Sequence, residues 1–345
     1  MSPDDRPADD PGEELLPSTD GRRFPTPLVP PQFKNVRALL EGSFSTNSRH
    51  PSLVFCSLHR CGSTFAGSIL HQLANGSGMA PVDLDGYVFN LPIRTPTDRM
   101  AATLVDQFSG GNHPLTPSAL HEQFVALFRP AGAVYGPFRG SAVLNYLPSL
   151  DSLRVLILLR DPRDALTSSY YWRAFGQENP ADPALRERIQ QKRTRYDYDS
   201  VDAYVLSKAS DYLEDYKGFC AYLAAKQNCV LTRYEDMVAD FQGWLRIVFT
   251  LLELPPKRRV LSQLAKQAEF SDVVEDAAAH KRQVAPGDHL RKLKPETIAR
   301  LNQLFHDELE FLGYSADGRV VSPKCGAFRA PPSTWSDRIA AWLGK

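Results

Sequence analysis

The sequence predicts an α/β fold, a three-layer sandwich with a central parallel β-sheet flanked by helices. Three observations predict it. Short apolar runs of strand length stand at Ser52–Cys56, Val155–Leu159 and Cys229–Thr232. The run Val155-Leu-Ile-Leu-Leu159 is apolar on both faces, as a strand inside a parallel sheet must be. Between the runs, apolar residues recur at helical spacing, so strands alternate with helices along the chain.

The stretch from Met1 to about Pro31 is dominated by Pro, Asp and Glu and offers little to bury, so it reads as a disordered acidic leader, 1–31. Ordered sequence is expected from near Phe33. After the first run, a polar turn over Ser57–Thr64 leads to Phe65, Ile69 and Leu73, one face of a helix. After the second, Asp161 can cap a helix whose first position is Pro162. Gln177–Ser200 is polar, holds Pro180 and Pro183, and reads as an excursion from the core. Its basic residues Arg186, Arg188, Lys192, Arg193 and Arg195 suit a solvated helix face or, alternatively, a lid over an acidic acceptor. Tyr212, Tyr216, Phe219 and Leu223 mark an amphipathic helix before the third run. Phe241, Trp244, Leu245, Val248 and Leu252 mark another, stopped by Pro255 and Pro256. One last helix is expected from Pro295 through Ile298, Leu301, Phe305, Leu309 and Leu312, closed by Gly313. The expected organisation is one domain over 32–320 and a C-terminal extension over 321–345, with no internal repeat.

Lys plus Arg and Asp plus Glu both number 40, so no bulk field draws the chain to nucleic acid or a membrane, and any anion site must be local. No apolar run approaches the roughly 20 residues of a membrane span, and the acidic start lacks the basic and apolar regions of a signal peptide. The cysteines Cys56, Cys61, Cys220, Cys229 and Cys325 are odd in number and show neither disulfide nor zinc spacing. A reducing, cytoplasmic location is expected. The sequence does not set the oligomeric state. His71 and His280 read as surface histidines.

Ser57-Leu-His-Arg-Cys-Gly-Ser-Thr64 lies where a strand hands over to a helix. Amides at such a turn point outward and carry the positive end of the helix dipole. Gly62 allows close backbone approach, Ser63 and Thr64 offer hydroxyls, and Arg60 offers a guanidinium. These are the parts of a phosphate cradle. A Walker A loop would end Gly-Lys-Ser/Thr, whereas here the cation precedes the glycine. A cysteine-phosphatase loop would need an Arg shortly after its cysteine, and Gly62 and Gly67 stand at the relevant places.

At these residues the sequence resembles the PAPS-dependent sulfotransferase family, of P-loop nucleotide-binding-like fold. The family's 5′-phosphosulfate loop typically reads Pro-Lys/Arg-Ser-Gly-Ser/Thr-Thr, and Arg60, Gly62, Ser63 and Thr64 fall on corresponding positions. His59 replaces the usual Pro, and Cys61 the usual Ser. The family's 3′-phosphate motif has an Arg ending a strand and a Ser further on; Arg160-Asp-Pro-Arg-Asp-Ala-Leu-Thr-Ser168 has that form. Tyr234-Glu-Asp236 resembles the family's Tyr-Glu-Asp, whose Tyr faces the adenine side. Arg282, Gly287 and Asp288 match a later segment whose Arg grips the 3′-phosphate, with His289 where Trp is usual. The resemblance runs from about Leu53 to Gly313.

The resemblance implies sulfuryl transfer from 3′-phosphoadenosine 5′-phosphosulfate (PAPS) to a hydroxyl or amine of a small-molecule or carbohydrate acceptor, releasing adenosine 3′,5′-bisphosphate. Arg60, Cys61, Gly62, Ser63, Thr64, Arg160, Ser168, Tyr234 and Arg282 would bind the nucleotide, and Arg60 would also act in catalysis. No metal is called for, because guanidinium groups and helix N-termini supply the positive field. A general base remains to be placed. Many members carry a His in a strand before the second motif, but Tyr135-Gly-Pro-Phe-Arg139 has none. Another branch uses an acidic residue after the first loop, which makes Asp85 and Asp83 candidates, with His113 and Glu122 as rivals. The alternatives are a P-loop kinase or NTPase, and a non-catalytic nucleotide-binding protein of this fold. ATP and GTP lack a 3′-phosphate, so a kinase has no use for the Arg160/Ser168 pair.

Overall fold

The computed structural model describes residues 16–17, 23–24, 29–109, 119–146, 150–175, 179–194, 200–255, 258–268 and 286–321. Arg282, His113 and His280 lie outside them. The sheet contains β1 (Leu53–Ser57), β2 (Ala80–Val82), β3 (Ala133–Arg139), β4 (Arg154–Leu159) and β5 (Cys229–Arg233). Its order is β2-β3-β1-β4-β5, and every pairing is parallel. The three runs read from the sequence are β1, β4 and β5. β1 is buried along its whole length, which follows from its neighbours on both edges and helices on both faces.

Helix α1 (Pro31–Leu40) precedes the sheet, with Pro31 in its first turn, and buries Phe33, Val36 and Leu39. β1 is followed by α2 (Ser63–Gly76), and α3 (Leu84–Asn90), α4 (Pro96–Ser109) and α5 (Ala119–Ala126) fill the connection from β2 to β3. β4 is followed by α6 (Pro162–Phe175), α7 (Pro183–Thr194) and α8 (Val201–Ala225). Asp161 caps α6 as expected, accepting from the Arg163 amide at 2.9 Å. Arg186 and Arg188 on α7 are exposed, and Arg188 pairs with Asp106 at 2.8 Å, as a solvated face allows.

β5 runs into α9 (Tyr234–Ala239) and α10 (Phe241–Leu251), with α11 (Arg258–Ala265) beyond. The chain then returns through α12 (Asp288–Lys292), α13 (Pro295–Leu304) and α14 (His306–Leu312). The single last helix expected from Pro295 is thus two, broken at Phe305. That ring is fully buried against Tyr216, with centroids 6.0 Å apart, and the chain bends around it. His71 also departs from expectation. It is buried, with Nε2 donating to the Gly136 carbonyl at 2.8 Å, so it ties α2 to β3 instead of facing water.

The core has two parts, one on each face of the sheet. Ala66, Ile69 and Leu70 of α2 pack with Trp244 and Leu245 of α10 on one face. Ala165 and Leu166 of α6 pack with Tyr216 and Phe219 of α8 on the other. β1 and β4 are neighbours whose following helices leave to opposite faces, which opens a crevice at their carboxyl ends. Such a switch point is where open α/β sheets bind ligands.

Candidate active site

The first corner of the crevice is the turn between β1 and α2. Arg60 (φ 70°) and Gly62 (φ 83°) both adopt left-handed backbone, which curls the turn so that successive amides converge on one concavity. Gly62 is the N-cap of α2 and offers no side chain to the first amides, so those of Ser63 and Thr64 are left for an outside acceptor. A Cβ on Gly62 would sit 2.9 Å from Cδ2 of Tyr234, so only glycine fits. The Cys61 thiol turns away into the core, 4.0 Å from the Tyr216 hydroxyl, and burial pushes it up to about 12. Cys61 can therefore serve an anion only through its backbone. The Arg60 guanidinium lies 5.4 Å from the Trp172 ring centroid, on α6.

The second corner is the turn between β4 and α6. Arg160 and Ser168 are both buried. Arg160 reaches across to donate to the Arg60 carbonyl at 3.4 Å, so the two corners touch. Its Cζ stands 4.5 Å from the Tyr234 ring centroid, and its Nε is buried with no hydrogen-bond acceptor among the described residues. Tyr234 thus wedges between Gly62 and Arg160. An anion that accepts from Arg160 Nε would relieve an otherwise costly orphan.

Asp164 organises this corner. It accepts from Arg160 at 3.4 Å, from the amides of Gly287 and His289 at 2.7 and 2.9 Å, and from His289 Nδ1 at 2.6 Å. Burial alone would raise its pKa, but the His289 hydrogen bond and the Arg160 charge hold it well below the usual carboxylate range. Gly287 and Asp288, matched in sequence, are thereby brought to the second corner. Glu235 is also buried here, accepting from the Asp161 amide at 3.1 Å and the Tyr314 hydroxyl at 2.8 Å. Burial raises it to about 7, against the opposing pull of Arg160.

The acidic candidates near the first corner separate cleanly. Asp83 caps α3 through the Gly86 amide at 2.8 Å. Glu122 is exposed on α5. Asp85 is buried and joins the site through Arg139, the last residue of β3, at 3.0 Å. The same guanidinium donates to Ser63 Oγ at 3.2 Å and to Thr64 Oγ1 at 3.4 Å. Asp85 Oδ1 is buried with no hydrogen-bond donor among the described residues. Burial raises this carboxyl to about 6, with Arg139 pulling it down and Asp83 pushing it up. Sequence reasoning missed Arg139, Asp164 and His289. Arg139 had one available signal: it ends a strand of a parallel sheet, where such sites gather.

The family profile for the sulfotransferase domain matches residues 143–309. Over those residues the chain is similar to the sulfotransferase domain. The matched residues hold the second corner, Tyr234 and Asp288, while the first corner lies upstream and is joined to them by the Arg160–Arg60 contact. Among solved structures, the chain is similar to mouse sulfotransferase SULT7A1 complexed with PAP, with 12% identity, 86% of this chain and 95% of that chain covered, and a TM-score of 0.49. It is also similar to retinol dehydratase in complex with androsterone and inactive cofactor PAP, with 13% identity, 81% and 85% covered, and a TM-score of 0.44. A sulfotransferase from Alicyclobacillus acidocaldarius shares 13% identity over 75% of this chain and 92% of its own, at a TM-score of 0.37. These likenesses are distant. No curated protein sequence matches the chain. Among the described residues, no helix is long and apolar enough to cross a membrane, and no cluster of His, Cys, Asp and Glu could hold a metal ion.

Proposed function

We propose that this chain is a sulfotransferase that passes the sulfuryl group of PAPS, by in-line displacement, to a hydroxyl or amine of a small-molecule or carbohydrate acceptor and releases adenosine 3′,5′-bisphosphate. The observation that carries the reading is the contact between Arg160 and the Arg60 carbonyl. It sets two anion-seeking corners side by side at the switch point, as a nucleotide charged at both ends requires. In this reading the amides and hydroxyls of Ser63 and Thr64 hold the 5′-phosphate, with Gly62 giving it room. Arg160 and Ser168 hold the 3′-phosphate, and Tyr234 lies between.

PAPS supplies an activated sulfuryl group, and the protein aligns it and absorbs charge. Arg60 neutralises the negative charge that grows on the leaving phosphate oxygen as its bond to sulfur breaks. Asp85, through its unpartnered oxygen, takes the acceptor proton as the new bond to sulfur forms. A carboxyl raised toward neutrality is suited to that work. The test is a melting experiment with adenosine 3′,5′-bisphosphate against ATP. The bisphosphate should stabilise the protein by about 2.7 kcal/mol at 100-fold over its Kd. Arg160→Ala should erase most of that shift, and an equal shift with ATP would overturn the reading.

A further inference from the structure

Arg139 has no role in the function proposed above, yet it touches both hydroxyl residues of the first corner and Asp85. Three of its nitrogens reach three partners on two elements: Ser63 Oγ and Thr64 Oγ1 at the start of α2, and Asp85 on α3. The hydroxyls are those placed on the donor's 5′-phosphate, and the carboxylate is the one placed at the acceptor proton. We propose that Arg139 is a positioning residue that couples donor binding to the readiness of Asp85, so that an anion in the loop and a proton on that carboxylate favour one another.

The physical basis is charge shared through a single guanidinium. An anion held by Ser63 and Thr64 draws on the same positive charge that keeps Asp85 ionised, so each weakens the other's hold on Arg139. Linkage then requires reciprocity: if binding raises the proton affinity of Asp85, protonation of Asp85 tightens binding to the same degree. The charged groups around this carboxylate are Arg139 from β3 and Asp83 at the cap of its own helix. His59 of the loop also feels this charge: though its surface is exposed, the surrounding protein and then Arg139, Arg60 and Arg173 lower its proton affinity. In a working cycle the coupling makes Asp85 a stronger base while the donor is seated, and its ionised form takes the acceptor proton as the bond to sulfur forms.

The inference rests on the proposed nucleotide site, and its test needs no acceptor. The Kd of adenosine 3′,5′-bisphosphate is measured by calorimetry from pH 5 to pH 7.5 in the full chain and in Asp85→Asn. The ligand's own phosphates titrate in this range, and comparison with Asp85→Asn removes their effect. We expect the Kd of the native chain to rise about fivefold more than that of Asp85→Asn across this interval. In Arg139→Gln the fivefold difference should shrink, because the shared charge is gone, and the midpoint of what remains should move up by about one pH unit. Arg139→Lys keeps the charge and should hold the midpoint near its native place, while binding weakens because an ammonium cannot span all three partners. A merely structural Arg139 would weaken binding in both variants without moving the midpoint, and that outcome overturns the proposal. So do superimposed profiles for the native chain and Asp85→Asn. Absence of bisphosphate binding at every pH would instead overturn the nucleotide site itself, and the coupling with it.

Discussion

The two corners of the crevice each pair a buried aspartate with an arginine, and the two aspartates behave in opposite ways. Asp164 at the second corner receives bonds from two amides, an imidazole and Arg160, and its proton affinity falls. Asp85 at the first corner receives Arg139 on one oxygen and no donor among the described residues on the other, and its proton affinity rises. Burial is similar, at 1% and 8% exposure, and pushes both upward, so it does not account for the difference. The number of donors decides. A carboxylate saturated with hydrogen bonds is a fixed anion that builds a corner, and one left half-satisfied is a proton acceptor in waiting.

The largest expected effect tests the saturated corner. Asp164→Ala leaves Arg160 and His289 without their shared partner, and loss of one member of a buried ion pair costs about 3–5 kcal/mol. Urea unfolding should show this; a loss under about 1 kcal/mol would mean the network contributes little. The next effect concerns the open corner, and its sign is opposite to that of an ordinary paired aspartate. Because Asp85 binds its proton more tightly folded than unfolded, its contribution is full below the unfolded pKa and is lost as pH rises toward 6. Stability of the native chain relative to Asp85→Asn should therefore fall by on the order of 2 kcal/mol between pH 4 and pH 7. Parallel stability profiles would show that the carboxyl is not raised, and the contrast would collapse. The smallest effect concerns the backbone of the first corner. Gly62→Ala imposes a Cβ on a left-handed residue beside Tyr234 and should cost about 1–2 kcal/mol, with weaker bisphosphate binding. No change in either would mean that the turn can relax without Gly62.

Much of the architecture was legible. Strand, turn and helix at each corner are built from neighbouring residues, so Arg60, Gly62, Ser63 and Thr64 could be grouped before any fold was known, as could Asp161, Pro162 and the end of β4. The C-terminal helix was misjudged at Phe305 because apolar spacing alone does not reveal a bend made by packing against Tyr216. His71 was misplaced for the same reason: its partner, the Gly136 carbonyl, lies 65 residues away.

Local sequence determined where anions can be held, since amide direction, a left-handed glycine and a strand-end guanidinium are properties of a few adjacent residues. Tertiary structure decided which carboxylate is reactive. Arg139 meets Asp85 across 54 residues, and His289 meets Asp164 across 125. Proton affinity depends on how many donors and charges surround a group in space, and the order of residues along the chain does not carry that count.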